Sequence, residues 1–452
     1  MVEGAYWQLL HYSIHLIAYF ILSCCQSLSW RITGVHRHIV ASRNSENYGT
    51  SAQLLKVWSR SRMLHPIIPQ LRHFLTSHVK FVHPEFALQR HIAILSVSKE
   101  YVLFSVPRRD VDVYDMNRWS FLFDAVFEEA EYILVMPTVS FNKLASSIPP
   151  TKAKVLWIYH TGRCGSTALA QVFNSLPDAV AMSEPMTFTA LLHSFRDYKL
   201  SNKHDVRTIK QYRTLFHSLV RMTLKPSLKH ADIITIKSAP LNAFADFDLM
   251  TEMFPQIKII FMYRDVMPQV TSLYKAIEGQ ELATTISSLI AGSALLSKLF
   301  PKVTSINSEY NRCYLTREHA QWMACKEVSS PLTLFAAFVM SYAESCHHYR
   351  DIVRQHGSSI PAFKFEKFMS EKKKHFSILF QLIEVEFTEK LWFVIQNALE
   401  LDSQLKSFVS REKVSNHIVR ITPEMIDDAN DCLKFFNLPK WGEAIILPNT
   451  VL

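Results

Sequence analysis

The sequence predicts an α/β fold with a mainly parallel sheet of about five strands and helices on both faces. Three observations support this. Short apolar runs alternate with helical patterns from Thr151 onward, which is typical of parallel strands joined by helical crossovers. One of these runs leads directly into a glycine-containing turn and then into an amphipathic helix. With 452 residues, of which 48% are hydrophobic, the chain can also form a sizeable core in one large domain or two.

Five apolar runs of strand length predict the strands of the main sheet, within a domain expected to cover residues 151–452. They cover residues 155–159, 179–182, 232–236, 258–263 and 359–364. The segments between residues 282 and 349 have helical patterns and are expected to form one wall of the ligand crevice of this domain.

Two further segments precede this domain. Residues 85–150 predict a small α/β extension, with strands at 92–97, 101–106 and 132–136 and a helix at 119–130, ending at Pro149-Pro150. Residues 26–84 are basic and irregular, and we expect a linker with accessory helices around 54–63 and 68–77.

Residues 1–25 are a candidate membrane anchor. Residues 5–25 contain no Asp, Glu, Lys or Arg, and this length is close to that of a bilayer-spanning helix. Arg31, Arg37 and Arg43 follow the segment and no Lys or Arg precedes it, which favours a cytosolic C-terminal domain. The chain also lacks an N-x-[ST] sequon. A buried or interfacial amphipathic helix is the alternative.

Charge and cysteine usage narrow the ligand classes. The net charge of +9 suits anionic ligands, and the basic residues are dispersed, so nucleic acid is not an expected partner. The seven cysteines show no metal-ligand spacing, and we expect no metal. Cys313 and Cys325 are candidates for a disulfide, with free thiols as the alternative.

The turn after the first predicted strand has the composition of an anion-binding loop. Gly162 and Gly165 permit a sharp turn, and Ser166 lies where a helix begins. Free amides at a helix start bind phosphate or sulfate, and Arg163 adds a forked cation. Ser166 follows Gly165 where a nucleoside triphosphatase loop needs a lysine, so that class is disfavoured. The alternative to an anion-binding loop is an ordinary turn that joins a strand to a helix and binds no ligand.

A second pair of residues follows a later strand. Arg264 directly follows the run at 258–263, and Ser272 comes eight residues later on a predicted helix. Two helical turns bring the hydroxyl near the guanidinium, and such a pair can hold a phosphate through charge-assisted hydrogen bonds. The alternative is a solvated strand end, with Arg264 beside Asp265.

These motifs resemble those of sulfotransferases that use 3′-phosphoadenosine 5′-phosphosulfate (PAPS). Residues 163–167, R-C-G-S-T, are similar to the donor loop [KR]-[ST]-G-[ST]-[ST], in the Arg version of the carbohydrate and Golgi branch, with Cys164 replacing a hydroxyl residue. Arg264 and Ser272 have the spacing of the pair that holds the donor's 3′-phosphate. The Glu184-Pro185 pair and the A-F-K-F-E-K-F segment at 362–368 are weaker similarities, and the four matches span residues 155 to about 380.

The resemblance implies a P-loop-type fold and a sulfonate transfer from PAPS to a hydroxylated acceptor, including glycans, in a membrane-anchored Golgi enzyme. It also implies the residues that bind the donor, which are Arg163, Cys164, Gly165, Ser166, Thr167, Ala168, Arg264 and Ser272. A non-catalytic sulfotransferase-like protein that binds an anion or a partner is the alternative, because Cys164 and the F-E-K-F segment depart from the family pattern. A phosphate-loop kinase is a third and disfavoured possibility.

The acceptor proton needs a base at the carboxyl ends of the strands, together with Arg163 to stabilise the transferring group. Glu184 is the first candidate because it directly follows a strand, and His160 is the second. His193 is a third candidate, and Lys237 ends another strand, where it can neutralise the leaving phosphate. The structural alternatives are a helix-start carboxylate for Glu184, a loop histidine for His160 and a solvated lysine for Lys237.

Overall fold

The fold described here is that of a computed structural model. It describes residues 2–44, 46–62, 68–195, 205–225, 231–240, 246–278, 334–357, 359–405 and 418–452, and single residues 228, 244, 407, 409, 410, 412 and 414. Cys313, Cys325 and the helices expected between residues 282 and 333 lie outside these residues.

The described elements are ten strands and fourteen helices, apart from short 3₁₀ turns. The strands are β1 Ala52–Arg60, β2 Phe74–Val82, β3 Ala93–Val97, β4 Tyr101–Val106, β5 Tyr132–Pro137, β6 Lys154–His160, β7 Ala179–Ser183, β8 Ile233–Lys237, β9 Lys258–Tyr263 and β10 Ala362–Lys364. The helices are α1 Val2–Ile32, α2 Val35–Arg43, α3 Leu122–Glu128, α4 Thr138–Ser147, α5 Ser166–Asn174, α6 Thr187–Ser194, α7 Val206–Thr223, α8 Phe247–Met253, α9 Val266–Glu278, α10 Leu334–His356, α11 Phe365–Ser370, α12 Lys372–Leu382, α13 Glu389–Glu400 and α14 Pro423–Phe435.

These elements form two compact units. Unit 1 comprises Met1–Ala153 and Pro185–Asp232, and unit 2 comprises Lys154–Glu184 and Ile233–Leu452. Unit 1 is built on a five-stranded sheet in the order β2-β1-β5-β4-β3, and all of its described pairings are antiparallel. Strands β3, β4 and β5 and helix α3 lie where the small α/β extension was expected.

The helices expected around residues 54–63 and 68–77 are wrong. These stretches contribute to β1 and β2, which pair with each other from Ala52 opposite Val82 to Arg60 opposite Phe74. The register shifts between Leu54 and Leu55 and again before Ser59. Such bulges break the alternation of apolar and polar residues that identifies a strand, so the sequence pattern conceals this hairpin.

The five-stranded parallel sheet predicted for the main domain is confirmed in unit 2. Its order is β10-β9-β6-β8-β7, and every described pairing is parallel. Strand β6 is central, with Leu156 opposite both Thr235 on β8 and Lys258 on β9. Its side chains from Val155 to His160 are buried, which explains the continuous apolar run. Parallel alignment brings the carboxyl ends of β6, β7 and β8 to one edge of the sheet, and the candidate site lies there.

Candidate functional site

The loop between β6 and α5 has a backbone of unusual conformation. Gly162, Arg163 and Gly165 have positive φ angles of 83°, 47° and 82°. Arg163 is not a glycine, and this conformation is uncommon for other residues and is found at functional sites. The Leu169 amide donates to the Gly165 carbonyl at 3.0 Å, which forms the first turn of α5. The amides of residues 166–168 come earlier in the chain than this first hydrogen-bonded amide of the helix, so they have no acceptor within the helix.

His160 holds this loop from inside the protein. Its Nδ1 accepts a hydrogen bond from the Gly162 amide at 2.9 Å, and its Nε2 donates to the Ser238 carbonyl at 2.8 Å. The ring is buried, and burial together with Lys237 lowers its pKa well below the usual value. The two hydrogen bonds therefore select one neutral tautomer and use both ring nitrogens.

Arg163 is bound on several sides. Its Nε donates to the Ser272 Oγ at 2.9 Å, and its Nη1 donates to the Gln404 Oε1 at 2.5 Å. A longer contact of 3.4 Å joins Nη1 to the Val409 carbonyl. Burial and the neighbouring Arg264 lower the pKa of this guanidinium to about 10. The guanidinium is still a cation at neutral pH. Its charged form is made less favourable by burial and by the positive charge of Arg264.

Arg264 extends the positive charge beside the loop. Its Nη1 lies 3.5 Å from the Arg163 carbonyl, and its guanidinium carbon lies 4.6 Å from the centre of the Phe365 ring. Its Nε is 3.4 Å from the Glu366 carboxylate. The structure thus brings Arg163, Arg264 and Ser272 together, and we call these three residues the arginine cluster.

Glu184 and Lys237 form an ion pair at the same sheet edge, where β7 and β8 end. The Lys237 ammonium donates to the Glu184 carboxylate, and the two side chains are only 1% and 13% exposed. The Glu184 amide donates to the Lys237 carbonyl at 2.8 Å, and Glu184 has a positive φ of 54°. Burial lowers the pKa of Lys237, whereas the carboxylate opposes that effect.

Cys164 is oriented into the protein. It is fully buried, and its Sγ lies 3.4 Å from the Met262 carbonyl on β9, while burial raises the pKa of the thiol. Its side chain therefore does not replace the hydroxyl of the loop pattern, and only its backbone can contribute to a ligand site. His193 lies on α6 in unit 1.

Three residues of the site were not identified from the sequence. Gln404 contacts both Arg163 and Thr167, at 2.5 Å and 3.5 Å. Phe365, noted only as a family similarity, covers the loop so closely that a Cβ on Gly165 would lie 2.7 Å from its ring. Gln269, buried on α9, donates to the Thr161 carbonyl at 2.7 Å. These contacts join distant parts of the chain, and no local pattern indicates them.

In the part of the chain that the structure describes, no group of three or more His, Cys, Asp or Glu side chains is arranged to hold a metal ion. The cationic groups and amides at this sheet edge are ligands for anions.

Neither a family model nor a curated protein matches the sequence. Similar solved structures include a sulfotransferase from Alicyclobacillus acidocaldarius, with 13% identity and a TM-score of 0.34 over 64% of this chain and 95% of that chain. Sulfotransferase STF9 from Mycobacterium avium has 10% identity and a TM-score of 0.35 over 74% of this chain and 94% of that chain. The sulfotransferase domain of the Synechococcus PCC 7002 olefin synthase has 12% identity and a TM-score of 0.29 over 64% of this chain and 97% of that chain. TM-scores this low do not assign the chain to a family.

Proposed function

We propose that unit 2 is a sulfotransferase that moves a sulfonate group from PAPS to a hydroxyl acceptor. The observation that carries the proposal is the arginine cluster, which lies beside the start of α5. Burial and the neighbouring Arg264 lower the pKa of Arg163, and an anion bound beside both arginines would stabilise its charged form. The residues present therefore fit a ligand with several negative charges.

Each end of the donor has candidate partners. The amides of residues 166–168 and the Arg163 guanidinium suit the 5′-phosphosulfate group, together with the loop backbone at Cys164 and Gly165. Arg264 and Ser272 suit the 3′-phosphate. The Ser272 hydroxyl accepts from Arg163, so its own proton remains available to donate to an anion.

The reaction needs positioning and charge stabilisation more than covalent chemistry from the protein. When bound, PAPS supplies the sulfonate, whose sulfur bonds to the acceptor oxygen as its bond to the donor phosphate breaks. Glu184 is the proposed base, and its carboxylate takes the acceptor proton. Lys237 orients that carboxylate, while Arg163 stabilises the negative charge of the leaving phosphate. His160 positions the loop and is not proposed as the base, because both ring nitrogens are engaged.

Transfer of radiolabelled sulfonate from PAPS to sugar, phenol and amine acceptors tests this proposal. Glu184→Gln should reduce transfer by a factor of about 10² to 10⁴, the typical contribution of a general base. Binding of 3′-phosphoadenosine 5′-phosphate (PAP), the product that lacks the sulfonate, should persist. Glu389→Gln is the control, because this carboxylate is 81% exposed on α13. Transfer within a few-fold of the parent in Glu184→Gln would remove Glu184 from the mechanism.

A non-catalytic anion-binding protein is the second candidate, and one observation favours it. Gln404 and the Val409 carbonyl already accept hydrogen bonds from Arg163, which leaves fewer of its donors for a ligand. This protein would bind PAP but transfer no sulfonate to any acceptor. A carbohydrate acceptor and a Golgi location remain predictions that rest on the sequence resemblance alone.

A further inference from the structure

Helix α1 presents a broad apolar face to the outside of unit 1. Its exposed large side chains repeat at intervals of about three or four residues, with exposed Cys24 between Ile21 and Leu28. They are Trp7, Leu10, Ile14, Ile17, Phe20, Ile21, Leu28 and Ile32. At 100° per residue they cover an arc of roughly 140°, and at 1.5 Å per residue they extend over about 38 Å. This arc is wider than the two-position seam of a coiled coil.

The opposite face of α1 is bound to the protein. His15 is 3% exposed, and its Nε2 donates to the Arg72 carbonyl at 3.2 Å. Gln26 donates to the Thr76 carbonyl on β2, and the Trp30 ring meets the His78 ring edge-on at 6.3 Å. These contacts lie along one side of the helix, so α1 lies lengthwise against unit 1.

Such a helix is poorly suited to span a bilayer. The segment Leu10–Ile32 is long and apolar enough to cross a membrane by length and composition. A spanning α1 would have to leave the sheet, and the polar groups of His15 and Gln26 would then enter hydrocarbon without their carbonyl partners. Unsatisfied polar groups are strongly unfavourable there. The contacts therefore favour a helix that stays against unit 1.

The charge around the apolar face indicates what covers it. The sequence has no Asp or Glu between Glu3 and Glu46, whereas Arg31 at the end of α1 and Arg37 on α2 are exposed. Basic residues beside an interfacial helix are attracted to anionic lipid headgroups.

We propose that α1 lies in the plane of an anionic phospholipid surface, with its outer face in the headgroup region and its inner face on unit 1. Trp7 and Phe20 enter the boundary of the acyl chains, and Arg31 and Arg37 contact the headgroups. This attachment is peripheral, so it does not require the chain to cross the membrane.

Sedimentation of the full chain with vesicles tests the proposal. The parent should bind mixed phosphatidylcholine–phosphatidylserine vesicles, bind pure phosphatidylcholine at least tenfold more weakly, and be released by high salt or alkaline carbonate. Ile14→Glu with Ile17→Glu should lower binding at least tenfold. Val139→Glu on α4, an exposed apolar position elsewhere in unit 1, should leave binding unchanged.

The other outcomes overturn the proposal. Retention after carbonate extraction would show a spanning helix. Self-association of the parent without vesicle binding, measured by sedimentation velocity, would show that a second copy covers the face. Because the salt and carbonate tests use the unaltered chain, they do not depend on the folding of the variants.

Discussion

Replacement of Gly165 by alanine tests the packing of the anion-binding loop. Gly165 has a φ of 82°, and a Cβ there would lie 2.7 Å and 2.9 Å from two carbons of the Phe365 ring. The left-handed backbone alone disfavours alanine by about 1–2 kcal/mol. Contacts this short force the ring or the loop to move, and overpacking adds about 1–3 kcal/mol. We therefore expect Gly165→Ala to lower the free energy of unfolding by about 2–5 kcal/mol.

Two other glycines of unit 2 separate backbone strain from steric overlap. Gly442 has a φ of 87° with no heavy atom within 4 Å of its added Cβ, so Gly442→Ala should show the backbone strain alone. Gly162 has a φ of 83° and its Cβ would meet Gln269 and Pro240 at an ordinary 3.5 Å, so Gly162→Ala should resemble Gly442→Ala. Urea unfolding followed by circular dichroism gives the change in midpoint for each variant.

A second substitution identifies the clashing group. Phe365→Leu shortens the side chain over the loop, and in the Gly165→Ala background it should recover part of the lost stability. In the parent the same change should only destabilise, because it removes buried ring area. An equal loss for Gly165→Ala and Gly442→Ala, or the same effect of Phe365→Leu in both backgrounds, would refute the packing described here.

Two further predictions concern buried charged and titratable groups. Lys237→Met leaves the Glu184 carboxylate without its buried cation. In urea titrations this variant should lose about 3–5 kcal/mol of the free energy of unfolding. A loss under about 1 kcal/mol would contradict the ion pair. Burial lowers the pKa of His73 in unit 1 from 6.5 to about 3. Between these two pH values the unfolded chain binds more protons than the folded protein, because His73 is protonated only when unfolded. Stability is therefore lost as the pH falls from 6.5 toward 3. His73→Gln should flatten that part of the curve of thermal midpoint against pH, and an unchanged slope would assign the acid sensitivity to other groups.

The parallel sheet of unit 2 was predictable because its strands are buried on both faces. Central strands such as β6 and β8 then consist of nearly continuous apolar residues, which a single sequence displays directly. The hairpin of β1 and β2 was not predictable, because its bulges interrupt the alternation that identifies a half-buried strand. The apolar residues of α1 indicate a membrane anchor in the sequence, and no sequence pattern shows that His15 and Gln26 bind this helix to the Arg72 and Thr76 carbonyls of unit 1.

In the candidate site, the residues next to each strand end were predictable and their partners were not. Arg163 and Glu184 follow strands and Lys237 ends one, so topology alone places them at one edge. Gln404 and Phe365 reach the loop from segments about 200 residues or more away in sequence. The two hydrogen bonds of His160, which decide its role, depend on tertiary placement and leave no sequence signal.

The central claim, that the arginine cluster binds the donor, is tested most directly by calorimetric titration of PAP into the full chain. Arg264→Ala should weaken PAP binding by about 2 kcal/mol, or roughly 30-fold, the scale of a lost charge-assisted contact. Adenosine 5′-phosphosulfate lacks the 3′-phosphate and should bind the parent and Arg264→Ala alike. Arg354→Ala, which removes an arginine that is 72% exposed on α10, should bind PAP as the parent does. Failure of the parent to bind PAP, or equal PAP affinity in the parent and Arg264→Ala, would contradict the claim.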